Sequence, residues 1–323
     1  MRLHRLAVRN VENLELATGG GREFRPTQIG RREVAGRLRL SEFGGVKLTY
    51  GSFRCDIHVS GTLSNNMVTL GLLLPGTRKA ELFGRNARPG DLLVVGEGRD
   101  NDARYRSRLR YVCVNVEKAH LLRINAVEGR VVPPGILDGS DVVKLERTKA
   151  AHLVGRMTTI SNTIRSGSLR AIGPEAEQWL ADEIVFEFVR CLSDATSKGR
   201  TGTRPRGGLP RLVKRAEDWL AADPSRRPNI QELSRVLAVS PRQLFRAFSA
   251  EVGTSPVHYL KNYRMTQARL DLKRAEPKST TVTRVANSWG FWELGRFAVE
   301  YRQLFGECPL QTLRSCATFH GRR

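Results

Sequence analysis

Paired cysteines and long apolar runs are both absent from this sequence. The five cysteines are Cys55, Cys113, Cys191, Cys308 and Cys316. No two form a CxxC pair, and their odd number and scatter argue against a disulfide framework or a zinc site. The most apolar stretch, at residues 67–75, is too short to cross a bilayer, and the first ten residues lack the apolar segment of a secretory signal. We therefore expect a cytoplasmic chain with no membrane partner.

Catalytic and cofactor-binding motifs are missing as well. The chain contains no GxSxG, P-loop or GxGxxG sequence, and its six histidines form no HxH or HExxH arrangement. Asp56 and His58 would share one face of a strand, where we expect them to be exposed to solvent. We expect no enzyme activity, no cofactor and no metal. An enzyme built on the strand-rich part of the chain is the alternative that these absences disfavour.

Acidic residues are few relative to basic ones. The chain has 54 Lys and Arg against 32 Asp and Glu, which gives a formal net charge of +22. This balance favours polyanionic partners, of which nucleic acid is the commonest. Both halves of the chain carry the excess, so charge alone does not locate a nucleic-acid-binding region. A basic protein without such a partner is the alternative on charge alone.

The 323 residues are enough for about two domains. Residues 30–135 are mostly short apolar–polar alternations separated by Gly and Pro, a pattern typical of strands in a sandwich or barrel. From 142 to 194 the period changes to that of helices. Residues 197–208 are Gly-rich, basic and almost free of apolar side chains, which predicts a linker. We expect a β-rich domain with trailing helices at 1–194, a linker at 195–208 and an all-α domain at 209–316.

Two helix pairs stand out in the C-terminal region. Asn229 precedes a short helix and Ser240-Pro241 begins a second one, as expected for an N-cap followed by proline at the first helical position. The apolar face predicted for the first helix consists of Ile230, Leu233, Val236 and Leu237. A short helix, a tight turn and a second helix with a polar front are the plan of a helix-turn-helix unit.

The second pair repeats this plan. Gly290-Phe291 forms the turn, and the next helix has its inner face at Phe297, Tyr301 and Leu304. Residues 257–275 run between the pairs as one helix of about 28 Å. Such a connector places two recognition helices about one DNA turn (~34 Å) apart.

These residues resemble the AraC/XylS-type transcription regulators. The positions that carry the resemblance are Ser240, Leu244, Arg246, Phe248, Gly253, Pro256, Tyr259, Arg264, Ala268, Val285, Ala286, Gly290, Phe291, Phe297, Phe305, Gly306 and Pro309. The match extends over about 100 residues at the expected spacing. The resemblance implies an α+β protein: an N-terminal cupin-like jelly roll with trailing helices, which senses an effector and dimerises, and an all-α C-terminal domain with two helix-turn-helix units joined by a long helix.

The same resemblance implies function and partners. We expect a sequence-specific transcription regulator, an activator rather than a repressor, that binds double-stranded DNA and acts with RNA polymerase. A small effector of unknown identity and a second copy of the chain are further expected partners. The apolar residues within 145–193 either form the dimer face or pack on their own strand domain. An architectural protein that bends DNA without sequence preference is the alternative that the exposed basic front disfavours.

The first recognition helix offers four candidate DNA-binding residues. Arg242 and Arg246 are the predicted base readers, because arginine bonds guanine bidentately; contact with phosphate is the alternative for both. Phe245 either contacts a thymine methyl group or packs on the connector helix. Gln243 contacts a base or a phosphate.

The second recognition helix offers Glu293, Leu294, Gly295, Arg296 and Val299. Arg296 and then Glu293 are the favoured readers, with a pairing between the two as the alternative. Relatives often have polar residues where this chain has Leu294 and Gly295, so this unit either approaches the DNA closely or serves positioning more than specificity. Arg264, from the shared motif, is expected to be partly buried in a structural role.

Overall fold

The computed structural model describes residues 2–9, 11, 14, 25–30, 34–64, 66–127, 132, 134–166, 173–196, 209–223, 226–275 and 280–315. Contacts divide the chain into two compact units. The first comprises Met1–Pro26 and Val34–Pro205, and the second comprises Thr27–Glu33 and Arg206–Arg323. The predicted linker at 197–208 and Cys316 lie outside the described residues. The predicted domain boundaries therefore stay a prediction.

The first unit is built on an antiparallel sheet. Its strands, with one that enters the second unit, are β1 (Arg2–Val8), β2 (Arg25–Gln28), β3 (Ala35–Phe43), β4 (Val46–Thr62), β5 (Val68–Leu73), β6 (Lys79–Leu82), β7 (Arg85–Ala87), β8 (Leu92–Val95), β9 (Asp100–Val116) and β10 (Ser140–Val143). The main order is β1-β3-β4-β9-β5-β8-β10. The 17-residue strands β4 and β9 pair along their whole length, from Val46 opposite Val116 to Thr62 opposite Asp100.

Both faces of this sheet are covered. Leu92 and Val94 of β8 belong to one apolar cluster, whereas Leu93 and Val95 belong to another. Since successive strand residues point to opposite faces, a strand buried on both sides has a continuous apolar sequence. The first cluster also contains residues of the helices that follow the sheet, and the second lies inside the bent sheet.

The helices of the first unit are α1 (Lys118–Val127), α2 (Pro134–Leu137), α3 (Arg147–Ser166) and α4 (Pro174–Thr196). Leu153, Met157 and Ile160 on α3 pack against the sheet, as do Ile184 and Phe188 on α4. Of the two predicted uses for these apolar residues, packing on their own strand domain is therefore the one observed.

Two details of the sequence analysis were wrong, and β1, β2 and β10 were not predicted. Residues 118–127 form α1 although they lie in the region expected to be mostly strands. His58, expected to be exposed, is 2% exposed. It lies opposite Arg104 on β9, and its Nε2 atom is 2.9 Å from Asp102 Oδ1. The local pattern could not show this, because Asp102 and Arg104, which lie beside His58 on β9, are more than 40 residues away in the sequence.

The second unit is helical. Its helices are α5 (Leu209–Ala222), α6 (Ile230–Leu237), α7 (Pro241–Glu251), α8 (Pro256–Arg274), α9 (Val282–Ser288), α10 (Leu294–Phe305) and α11 (Pro309–Ser315). The sequence pattern predicts the first six at about 210–222, 230–238, 241–251, 256–275, 281–288 and 293–304, and each agrees to within one residue at each end. Helix α11 was not predicted. A sheet with trailing helices followed by a helical unit confirms the α+β class. Within the described parts of the chain, no helix has the length and apolarity needed to cross a membrane.

Candidate nucleic-acid interface

The first helix-turn-helix unit consists of α6 and α7. Asn229 caps α6 by accepting a hydrogen bond from the backbone N–H of Glu232 at 2.8 Å. The chain turns at Ala238, whose φ of 54° places it in the left-handed region. Ser240 then caps α7, with Pro241 at the first helical position. Both predicted caps are thus present, and they set the angle at which α7 leaves the turn.

The two faces of α7 differ sharply in burial. Leu244, Ala247 and Phe248 have no exposed surface. All four predicted DNA-binding residues, Arg242, Gln243, Phe245 and Arg246, are exposed, and Phe245 is 40% exposed. Phe245 is therefore only partly covered, and its two predicted roles, contact with a thymine methyl group and packing on the connector helix, both stay predictions. The exposed face of α7 carries two guanidinium groups and one aromatic ring.

Gln243 has a second role that the sequence analysis missed. Its Oε1 atom accepts a hydrogen bond from the backbone N–H of Ser240 at 2.9 Å, while Ser240 Oγ accepts one from the backbone N–H of Gln243 at 3.2 Å. This reciprocal arrangement is a capping box. The signal was visible as serine followed three residues later by glutamine. In this state the Gln243 side chain holds the start of α7.

Val236, expected on the inner face of α6, is 43% exposed and that expectation was wrong. At about 100° per residue, Leu233 and Leu237 lie about 40° apart, and Val236 lies roughly 60° beyond Leu233. It therefore falls on the edge of the buried stripe.

The connector helix α8 joins two separate cores. At its N-terminal end Tyr259 packs with α5, α6 and α7, and its hydroxyl donates to Glu217 at 2.7 Å. At its C-terminal end Ala268 and Leu272 pack with α9, α10 and α11. Its 19 residues correspond to about 28 Å, so the helix itself sets the separation of the two helix-turn-helix units.

Arg269 is a structural residue of α8 that the sequence analysis missed. Its guanidinium is 2.7 Å from Glu307 and lies 4.5 Å from the ring centroid of Phe305. Arg264, five residues earlier on the same helix, lies 5.2 Å from the ring centroid of Phe291. Burial lowers the pKa of the Arg264 guanidinium. The expectation of a partly buried, structural Arg264 is confirmed.

The second helix-turn-helix unit consists of α9 and α10. Trp289 ends α9, and its indole N–H donates to Asp271 on α8 at 2.7 Å. Gly290 follows with a φ of +73°, and a Cβ atom there would lie 3.2 Å from a nitrogen of Arg264. Backbone conformation and space thus both favour glycine. Phe297, Tyr301 and Leu304 form the buried face of α10.

All five predicted residues of the second front are exposed: Glu293, Leu294, Gly295, Arg296 and Val299. The pairing considered between Arg296 and Glu293 is present, but it is the longer of two ion pairs that Arg296 makes. Its Nε atom is 3.2 Å from Glu300, whereas its nearest approach to Glu293 is 3.9 Å. Burial alone would raise the pKa of Glu300, but hydrogen bonds from Lys261 and Arg296 lower it below its usual value. Arg296 is therefore held by an ionised partner on its own helix.

Trp292 was not predicted and is the most exposed large apolar residue at this front, at 72%. It precedes Glu293, the N-cap position of α10. Its neighbour Phe291, which belongs to the shared motif, packs against Phe297 with ring centroids 5.0 Å apart. Together with Leu294 and Val299, Trp292 makes the second front more apolar than the first.

The first unit contains an apolar cavity of about 90 Å³ inside the bent sheet. Its polar lining residues are Thr49, Thr69, Asn101, Tyr105, Tyr111, Cys113 and Asn115. Burial raises the pKa of Cys113 to about 12 and that of Tyr111 well above its ordinary value, so both groups are neutral at physiological pH. No charged side chain is among the described residues that line it.

One residue of the cavity lining carries an unused acceptor. Asn101 is 4% exposed, and its Nδ2 atom donates to the carbonyl oxygen of Val59 at 3.4 Å. Its Oδ1 atom is buried without a hydrogen-bond partner. A buried unpaired acceptor costs about 1–3 kcal/mol. The sequence analysis assigned no effector-binding residue, because the strands that line the cavity meet only in the folded sheet.

Comparison with known proteins bears on the second unit most directly. A family model described as a helix-turn-helix domain matches residues 233–315. The probable thc operon regulatory protein of Rhodococcus erythropolis is 42% identical over 111 residues, 34% of this chain and 33% of that protein. A XylDLEGF operon transcriptional activator of Pseudomonas putida is 25% identical over 285 residues, 87% of this chain and 85% of that protein. The chain thus spans a third of the first relative's length and most of the second's.

Solved structures show similar sequences or folds. A probable AraC family transcriptional regulator from Rhodopseudomonas palustris is 36% identical and has a TM-score of 0.30; the match covers 33% of this chain and 97% of that one. The AraC-like transcriptional activator CuxR is 14% identical over 83% of this chain and 96% of that one, with a TM-score of 0.44. The matched domain and the two curated relatives agree with the motif positions described above: residues 233–315 form a helix-turn-helix domain, and the chain is similar to transcription regulators of the AraC/XylS type.

Proposed function

We propose that the two helix-turn-helix units place α7 and α10 in successive major grooves of one DNA duplex, and that Arg242 and Arg246 read bases. The observation that carries this is the pair of exposed helix fronts in one unit, joined by the 19-residue α8. A separation of about 28 Å along the helix is close to one DNA turn of ~34 Å. An arginine that bonds guanine bidentately contributes about 1–3 kcal/mol of discrimination.

The second front reads DNA differently in this proposal. Trp292, Leu294 and Val299 are exposed and apolar, and apolar side chains recognise the thymine methyl group in the major groove. Arg296 already forms an ion pair with Glu300 on its own helix, so less of its hydrogen-bonding capacity is left for DNA. We therefore propose that α10 selects A·T-rich sequence by apolar contact and that α7 supplies the hydrogen-bonded readout.

Base reading by α7 and A·T selection by α10 are tested together by one experiment. The full chain selects its binding sites from random DNA duplexes at about 150 mM salt. Salt at this level weakens non-specific phosphate binding. The expected motif has two blocks about 10 base pairs apart, one with guanine and one rich in A·T. A single block would refute reading by α10, and the absence of any enriched motif would favour an architectural protein.

We further propose that the cavity in the first unit binds the effector, and that this effector is a small uncharged molecule. No described lining residue carries a charge, and a carboxylate placed there would be desolvated without a cation. The volume is of the same order as the ~150 Å³ apolar cavity that holds benzene in another protein. The unpaired Oδ1 atom of Asn101 favours a ligand with one hydrogen-bond donor, such as a phenol.

Thermal denaturation of the full chain with phenol, toluene and benzoate tests the cavity proposal. We expect phenol to stabilise most, toluene less and benzoate least. Asn101→Leu should remove the advantage of phenol over toluene, because it removes the acceptor and keeps the volume. Stabilisation by benzoate above that by phenol would refute an uncharged ligand.

The remaining proposals rest on the family. Relatives named as transcriptional activators support an activator that works with RNA polymerase in the cytoplasm, and a regulator rather than an enzyme. The domain division at 1–194, 195–208 and 209–316 belongs to the same proposal. A homodimer is expected from the family only, because the apolar faces of α3 and α4 are used in their own core. Sedimentation equilibrium of the full chain gives the oligomeric state.

A further inference from the structure

A second cavity of the first unit is strongly cationic. It has a volume of about 640 Å³ and lies between one face of the sheet and helix α3. Five arginines line it: Arg5, Arg37, Arg39, Arg110 and Arg165. No carboxylate is found among the described residues of its lining. We name it the arginine cleft.

The strand register explains how four of these arginines come together. Arg5 on β1 lies opposite Arg39 on β3, which in turn lies opposite Tyr50 on β4. Arg37 occupies the next row of the same sheet face, two residues away from Arg39. In that row Ser52 separates it from Arg110 on β9. Like charges directly opposite each other on neighbouring strands are destabilising.

Helix α3 closes the cleft and brings the fifth arginine. The backbone carbonyl of Arg165 accepts a hydrogen bond from Arg5 at 3.3 Å, and Ser161 Oγ accepts one from Arg39 at 2.9 Å. Arg39 also lies 5.5 Å from the ring centroid of Tyr50. These neutral acceptors orient the guanidinium groups without neutralising them.

The pKa of Arg39 reflects surroundings in which other arginines are present and no carboxylate is found among the described lining residues. Burial lowers the pKa of its guanidinium, Tyr50 opposes that effect, and the charges of Arg165 and Arg5 lower it further. An anion bound among these guanidinium groups offsets their mutual repulsion. It also accepts charge-assisted hydrogen bonds, which are about twice as strong as neutral ones.

We propose that the arginine cleft binds a small molecule with at least two phosphate groups. Arginine matches phosphate oxygens bidentately, and one phosphate group neutralises at most two of the five guanidiniums. The volume falls in the range of about 300–1,000 Å³ that is typical of small-molecule sites. A duplex would contact only the rim, since sheet and helix wall the cleft on opposite sides. The site is separate from the apolar cavity, so its failure would leave the proposed function intact.

Isothermal titration of the DNA-free full chain with pyrophosphate tests the proposal. The pocket variants are Arg37→Gln and Arg110→Gln, whose side chains are exposed and not needed for the core, and Arg39→Gln. The matched control is Arg147→Gln, an exposed arginine at the other end of α3. We expect each pocket variant to weaken pyrophosphate binding about tenfold or more, and the control to change it by less than twofold.

Four results would overturn the proposal. Equal losses in Arg147→Gln and the pocket variants would mean that only net charge matters, and no loss in any variant would place the phosphate on the DNA-binding fronts. Inorganic phosphate that binds as tightly as pyrophosphate would exclude a ligand with two phosphate groups. A single-stranded oligonucleotide that binds more tightly than pyrophosphate, with the same variant losses, would assign the cleft to nucleic acid.

Discussion

At the scale of single residues, the exposed front of α7 combines two kinds of side chain. Arg242 and Arg246 have no hydrogen-bond partner among the described residues, so their guanidinium groups are available to DNA. Gln243 is engaged with the backbone of Ser240. Under the proposed function, neighbouring residues on one helix turn therefore separate into reading and capping roles.

Arg246→Ala should weaken binding to the selected sequence by about 1–3 kcal/mol and relax the preference at one base position. The physical reason is loss of a bidentate bond to guanine. Fluorescence anisotropy with the selected duplex and with each single-base variant measures both effects. Lys273→Ala, near the C-terminal end of α8, is the control and should affect all sequences alike. Equal losses on selected and random DNA for Arg246→Ala would contradict a reading role.

Gln243→Ala should lower the free energy of unfolding by about 1 kcal/mol, because the hydrogen bond to the Ser240 N–H is lost. Gln243→Glu should preserve stability, since glutamate fills the same position of a capping box. Urea denaturation of both variants measures the difference. Unchanged stability of Gln243→Ala together with altered base preference would assign Gln243 to reading instead.

At the scale of elements, helix α10 carries a glycine in its first turn that its own unit does not require. A Cβ atom at Gly295 would meet nothing within 4 Å, whereas one at Gly290 would approach Arg264. Gly290 is therefore required by the conformation of the turn, whereas Gly295 in the following helix is not required by the packing of its own unit. Space on the outer side of α10 is free for a partner.

Gly295→Ala should raise the free energy of unfolding by about 0.5–1 kcal/mol, because alanine restricts the unfolded chain and favours the helix. It should at the same time weaken DNA binding if the backbone of α10 approaches the duplex closely. Gly290→Ala is the contrasting variant and should destabilise, since its φ is +73°. Urea denaturation and DNA titration of each variant measure the two effects; no gain in stability for Gly295→Ala would contradict the prediction.

The contact between α1 and α4 predicts a pH dependence. Three side chains donate hydrogen bonds to the Asp182 carboxylate: Gln178 at 2.8 Å, His120 at 2.7 Å and Arg123 at 3.0 Å. Burial alone would raise the pKa of Asp182, but these bonds lower it below the ordinary value of 3.8. A lowered folded pKa contributes stability that is complete above the unfolded pKa and disappears as the pH falls through the folded pKa.

Wild-type protein should therefore lose more thermal stability than Asp182→Asn when the pH is lowered from about 6 to about 3. The asparagine variant should be less stable at pH 6 and should converge with the wild type in acid. Denaturation midpoints across this range provide the test. Parallel curves for the two proteins would show that the carboxylate makes no net contribution.

At the scale of the whole molecule, the charge of +22 predicts strong and salt-sensitive attraction to DNA of any sequence. With six to ten phosphate contacts, affinity for random duplex should fall by roughly 10³–10⁵ between 50 and 200 mM salt. The ratio of selected to random affinity should be nearly constant over the same range, because base contacts release no counterions. Titrations at several salt concentrations check this, and a ratio that collapses with salt would indicate phosphate binding alone.

How far the sequence predicted the fold depended on the range of the interactions involved. The caps at Asn229 and Ser240, the turn at Gly290 and the bounds of α5 to α10 follow from residues within about four positions of each other. The burial prediction for Val236 was wrong because this residue lies at the edge of a helical stripe, where small rotations decide burial. The burial prediction for His58 was wrong because its neighbours Asp102 and Arg104 come from the distant strand β9.

Sequence alone determined that the C-terminal part consists of two helix-turn-helix units at a fixed spacing, because capping, helical period and turn chemistry are local properties. It also determined which side chains of α7 and α10 face outward. Only the tertiary structure decided the rest. The arginine cleft joins Arg5, Arg39 and Arg165, and the apolar cavity joins Asn101 to strands up to 50 residues away. Alternation assigns each side chain to a face of its strand, but strand order and register determine which other side chains it meets.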